Sequence, residues 1–188
     1  RSVAPDVAMR YRVALLNDPE LDALVKKHWG NLAAASPEEK LAEVRRLNND
    51  LRAATGDPAA GKLLFTKNCA TCHKSGTEGH AVGPDLSTAA ALDPTAMLTH
   101  ILDPNREVAP QYQAYTFEFN EGPPATGYIL AENATEVTLR MPGGLDRTFP
   151  RSEVASMKGL GLSLMPEGLE ATITVEEMTD LLAYLLTP

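Results

Sequence analysis

Only two cysteines occur in this 188-residue sequence, and they stand three positions apart with a histidine directly after them: Cys69-Ala70-Thr71-Cys72-His73. Side chains three apart on a helical turn project to one side, so both thiols and the imidazole are committed to one small patch. No cysteine is left for a long-range disulfide, and the fold must be held by its apolar core. Hydrophobic residues make up 44% of the chain, enough for a real one. The formal net charge of −8 argues against nucleic acid as a partner. No apolar run approaches the roughly 18–20 residues of a membrane-crossing helix; Leu181-Leu182-Ala183-Tyr184-Leu185-Leu186 is far too short. The chain opens at Arg1 without a signal peptide, and is expected to be a processed piece of something longer.

The pattern on either side of the motif is mostly helical. Asp18-Pro19-Glu20 and Ser36-Pro37-Glu38-Glu39 offer a cap, a proline at the first helical position and early acids. Leu41, Val44, Leu47 and Leu51 then recur at helical spacing, with Arg45, Arg46, Asn48 and Asn49 on the other face. Asp57-Pro58 and Asp93-Pro94 start two further helices, and Thr174-Val175-Glu176-Glu177 is a capping box for the last. Between them the period changes to two. Tyr115, Phe117 and Phe119 alternate with polar residues, Gly127 to Ala131 reads as a second strand, Val137, Leu139 and Met141 alternate again, and Leu145 to Phe149 is a fourth. The expected fold is mainly α, with an N-terminal helical extension over 1–55, a domain over 56–188, and a small antiparallel β-meander inserted at about 112–149.

Cysteines at this spacing followed by histidine point to one covalently attached haem c. Cys69 and Cys72 would form thioethers to the two vinyl groups on one porphyrin edge, and His73 would turn its imidazole under the iron. Zinc would need about four ligands, with only His28, His80 or His100 to complete Cys69, Cys72 and His73. A thioredoxin-like thiol pair belongs after a strand in an α/β fold, whereas this motif ends a helix. For the second axial position the candidate is Met165, followed by Pro166 in a loop of Gly159, Gly161 and Ser163, with His100, Met157 or an open site as alternatives. Met97, Met141 and Met178 fall on apolar stripes and fit ordinary core packing. A ligating histidine donates its other ring N–H to a second group; the Pro84 carbonyl in the Gly83-Pro84 turn is the candidate acceptor. Arg106, Tyr112, Tyr115 and Trp29 are weaker candidates for the pocket or the propionates.

Gly61 and Phe65 before the motif, Gly83-Pro84-Asp85-Leu86, Met165-Pro166 and Leu181-Leu182-Ala183-Tyr184-Leu185 resemble class I cytochrome c. That resemblance implies that the first and last helices of the core cross, and that His73 and Met165 are the iron ligands. A closer resemblance rests on His28-Trp29-Gly30, Ile101-Leu102-Asp103-Pro104-Asn105-Arg106 and Ser163-Leu164-Met165-Pro166-Glu167-Gly168-Leu169. These are similar to the haem-binding domain of planctomycetes and verrucomicrobia, which usually forms the C-terminal end of very large secreted or periplasmic proteins, often with propeller-like dehydrogenase or helical-repeat regions upstream. The stretch from His73 to Met165 is longer than a small cytochrome needs, and the expected strands account for the excess.

Together these readings predict a periplasmic one-electron relay cycling Fe(III)/Fe(II). Its electrons would come from an attached or partner dehydrogenase, without enzymatic turnover of its own and without a transmembrane segment. A haem-based sensor with a labile sixth position is the alternative function. A peroxidase would need a distal acid–base group, for which only His80 or His100 is available.

Overall fold

The computed structural model describes residues 19–29, 37–51 and 55–187. The expected caps Asp18 and Ser36, Gly30 and the Trp29 side chain lie outside the described residues. Helix α1 spans Pro19–Trp29 and α2 spans Pro37–Leu51. On α2 the stripe predicted from spacing turns inward, with Val44 and Leu47 buried and Arg45 and Arg46 exposed.

Helix α3, Pro58–Asn68, begins where the Asp57 carboxylate accepts the Ala59 N–H at 2.8 Å, with Pro58 in the first turn, where its missing N–H costs nothing. It runs straight into the cysteines: the Cys69 and Ala70 amides both donate to the Phe65 carbonyl. The last helix, α5 (Val175–Leu185), opens with a complete capping box between Thr174 and Glu177. It crosses α3 at Gly61. A β-carbon there would lie 1.9 Å from the Asp180 carbonyl oxygen, so only glycine permits this approach. Phe65 is fully buried one turn on, its ring centroid 5.5 Å from that of Tyr184. Helix α4 (Pro94–Leu102), capped by Asp93, turns Met97, Leu98, Ile101 and Leu102 into the same core.

The short pair β1 (Lys74–Ser75) and β2 (Glu78–Gly79) follows the motif. Five longer strands come after α4: β3 (Gln113–Phe119), β4 (Ala125–Glu132), β5 (Glu136–Met141), β6 (Leu145–Pro150) and β7 (Val154–Ser163). They form one antiparallel sheet in the order β6-β5-β4-β3-β7. Phe117 sits mid-sheet, opposite Ala125 on one side and Met157 on the other. With Val137, Leu139 and Phe149 it makes a core separate from the helical one. A third cluster joins the sheet to the motif: Val82, Ala114, Tyr128 and Leu164, with Cys72, Tyr112 and Leu160 against it.

The expected mainly-α class is therefore wrong. The five-stranded sheet is a structural layer of its own, and the fold mixes α and β. Besides the short pair β1 and β2, the strand missed by the pattern is β7, whose Gly159, Gly161 and Ser163 read as a loop. Its residues alternate poorly because most of it is exposed. It is held by its ladder to β3, and Gly159 makes room for the Tyr115 ring, 3.4 Å from where a β-carbon would stand. Glycine in a strand can mark such close approach.

Candidate functional site

Where the motif leaves α3, its backbone closes on itself. The Cys72 and His73 amides donate to the Cys69 carbonyl, and Val82 and Gly83 both donate to the Cys72 carbonyl, which draws the 79–86 segment across the imidazole. His73 Nδ1–H donates to the Pro84 carbonyl at 2.9 Å. That bond fixes the tautomer and leaves Nε2 as the ring's free lone pair. Gly83 packs flat against the ring: a β-carbon there would stand 2.6 Å from His73 Cε1. Burial pulls the His73 pKa below its ordinary value, opposed by the Pro84 hydrogen bond, so the neutral imidazole is favoured.

These groups open onto a cavity of about 340 Å³. Cys69, Cys72, His73 and Pro84 line one part of it, and Tyr112 and Met165 line others. Arg106 is exposed and does not line it, and Tyr115 packs instead with the core of the sheet. Met157 is exposed on β7, while Met97, read as a core residue, is buried on α4 and also reaches the cavity wall, as does His100. The remaining lining is largely apolar and comes from helices α4 and α5 as well as the sheet, including Leu92, Ile101, Tyr128, Leu164 and Leu181.

Burial raises the Cys69 thiol to about 12, with the neighbouring Cys72 adding to the effect. Reactive or metal-binding cysteines sit where surroundings favour the thiolate; here they favour the thiol. Among the described residues no group of three or more His, Cys, Asp or Glu side chains is arranged to hold a metal ion. Neither the zinc reading nor the thiol-redox reading is supported by this geometry.

Several supports were missed from sequence. The Met165 amide donates to Ser163 Oγ at 3.0 Å, and the Ser163 amide donates to Asn105 Oδ1 at 2.8 Å. Tyr128 packs with Leu164 in the cluster that joins the sheet to the motif. Arg140 of β5 donates to the Ala81 carbonyl while paired with Asp146, which ties the sheet to the loop beside His73. No local pattern announces such contacts.

Residues 58–139 match the cytochrome c family. The match covers Cys69 to His73 and Pro84, and stops before Met165; it spans less than half of the chain. No curated protein matches the chain. The match supports a c-type cytochrome and a haem-based electron-transfer function, with haem c as the cofactor the family implies. The residues present fit that group. Two thiols and an oriented imidazole share one edge of an apolar cavity whose wall also carries a thioether, and the glycine against the ring leaves no side chain in the way. Among the described residues no helix is long and apolar enough to cross a membrane.

Proposed function

We propose that residues 56–188 form a single-haem c-type cytochrome domain that passes one electron at a time, with 1–55 as a helical extension whose helix α2 packs on it through Val44 and Leu47. The reading rests on one observation above all: Cys69, Cys72, His73 and Met165 line the same apolar cavity, although Met165 is remote in sequence. When bound, the haem supplies the Fe(III)/Fe(II) couple.

The chain's own residues supply the rest. Cys69 and Cys72 would hold the group through thioether bonds from the cavity wall. His73 presents Nε2, its ring held by Pro84 and backed by Gly83. Met165 offers a soft thioether, a weak donor that favours the reduced metal and raises its potential. Apolar side chains such as Ile101, Leu164 and Leu181 exclude water, which limits reorganisation around a changing charge. The sheet closes a side of the cavity through Tyr128 and Leu164, the role proposed for the β-rich insertion.

In this reading the domain works outside the cytoplasm, accepts electrons from an attached or partner dehydrogenase, and performs no turnover of its own. Absorption spectra of oxidised and reduced protein, for wild type and Met165→Ala, test it. The expected result is a low-spin wild type with the weak far-red sulfur-to-iron band, lost in the variant. A band that survives the substitution refutes the ligand set, and rapid carbon monoxide binding by the wild type favours a sensor.

A further inference from the structure

Three stretches of sequence far apart in the chain meet at the segment that carries Met165. Asn105, three residues past the end of α4, holds the segment on both sides of that methionine. Its Oδ1 accepts the Ser163 N–H at 2.8 Å, and its Nδ2 donates to Glu167 Oε1 at 2.6 Å. These contacts span 58 and 62 residues of sequence. The two ends of one amide are thereby assigned: reversing it would set a donor against the Ser163 N–H and an acceptor against a carboxylate. Ser163 in turn accepts the Met165 amide at 3.0 Å.

The far side of the bridge is fixed by charge. Lys40 of α2 lies 2.8 Å from Glu167 Oε1 and 2.8 Å from Asp103 Oδ1, with all three side chains less than a fifth exposed. Burial works against the Lys40 charge, but hydrogen bonds and attraction from both carboxylates outweigh it and its pKa rises, so the ammonium persists. Half-buried carboxylates of this kind are tolerated because a cation is shared between them. Asp103 and Asn105 belong to one of the motifs singled out in the sequence, Ser163 and Glu167 to another, and Lys40 to the helical extension.

We infer that Asn105 is a positioning residue for the Met165 thioether, a staple across residues 163–167 anchored by Lys40 through Glu167 and Asp103. The inference rests on Met165 being the second axial ligand. The staple keeps the methionine presented to the cavity in both oxidation states by denying its segment the freedom to swing away. It also gives the helical extension a part in setting the potential without touching the cofactor.

The test uses the haem-loaded chain. Asn105→Asp is nearly isosteric, but loses the donor to Glu167 and adds a charge beside it. It should weaken the far-red band, lower the potential and speed carbonyl association by about ten-fold or more. Lys40→Met should act in the same direction, because two carboxylates then face each other without a cation. Adding Glu167→Gln to Lys40→Met removes one charge, keeps the acceptor for Asn105, and should restore the band, a rescue that a merely structural lysine would not show. In the wild type the Ser163 and Met165 amides should exchange slowly with solvent. Asn105→Asp, folded and loaded, with wild-type band, potential and carbon monoxide rate overturns the staple, as do unprotected Ser163 and Met165 amides in the wild type. Met165→Ala separates the two levels: if the band survives it, the ligand assignment itself fails, whereas if it vanishes there and persists in Asn105→Asp, only the staple does.

Discussion

On one side of the cavity, Cys69, Cys72 and His73 are held by close neighbours in the chain; on the other, Met165 is held by residues recruited from far away. The first side closes through backbone bonds from Cys72 and His73 to Cys69, and through a His73–Pro84 contact spanning 11 residues. The second depends on Asn105, whose contacts with Ser163 and Glu167 span 58 and 62 residues, and on Lys40, whose contact with Asp103 spans 63. Short-range structure forms at little entropic cost, while long-range closure must be offset by tertiary packing. The histidine side should therefore survive perturbations that release the methionine side.

The largest effect is expected from Phe117→Ala, which empties the middle of the sheet core and should cost about 3–5 kcal/mol. Because β7 ends at Ser163, hydrogen exchange should show the β3 and β7 amides and those of Ser163 and Met165 losing protection together, while Cys72 and His73 keep theirs. Equal loss at Cys72 and His73 would break the contrast between the sides.

Gly83→Val attacks the other side. Its β-carbon would press on the His73 ring from 2.6 Å, and overpacking of this kind costs about 1–3 kcal/mol. The expected signature is a displaced histidine, seen as altered imidazole resonances in the ferrous protein, with the protection of Ser163 and Met165 unchanged. A variant whose ring resonances match the wild type would show that the glycine is dispensable.

The smallest effect concerns Glu170, in the turn that follows the Met165 segment. Burial raises its pKa, Glu43 and Glu167 push the same way, and its own backbone and Lys40 oppose. Among the described residues no partner reaches its buried Oε2. A carboxyl with a raised folded pKa binds its proton more tightly when folded. Its contribution is thus fully present below the unfolded pKa and is lost as pH rises through the folded one. Glu170→Gln should remove that loss, leaving the variant the more stable at neutral pH. Denaturation midpoints across the acid-to-neutral range check it, and parallel curves for the two proteins would contradict it.

The same contrast explains what the sequence disclosed. Asp57-Pro58, Asp93-Pro94 and the Thr174 capping box write helix starts into a few consecutive residues, and all three helices begin there. The alternation around Phe117 and Leu139 marks strands because each has one buried face. Residues 69, 72, 73, 84, 112 and 165 were singled out and line one cavity. Strand β7 was illegible because its exposed, glycine-containing run carries no pattern, and its place comes from the β3 ladder. The contacts of Lys40, Asn105 and Ser163 were illegible for a related reason: a polar residue gives no sign of a partner some sixty positions away until the chain is folded. Arg106, a candidate for the pocket or the propionates, is exposed, while its neighbour Asn105 carries the contacts.

The most direct measurement is the mass of the denatured polypeptide after maturation in cells that attach haem, for wild type and for Cys69→Ala/Cys72→Ala. The account predicts that the wild type retains the mass of one haem through denaturation and acid–acetone extraction, and that the double variant has the mass of the bare chain. A wild-type chain that emerges unmodified would contradict it.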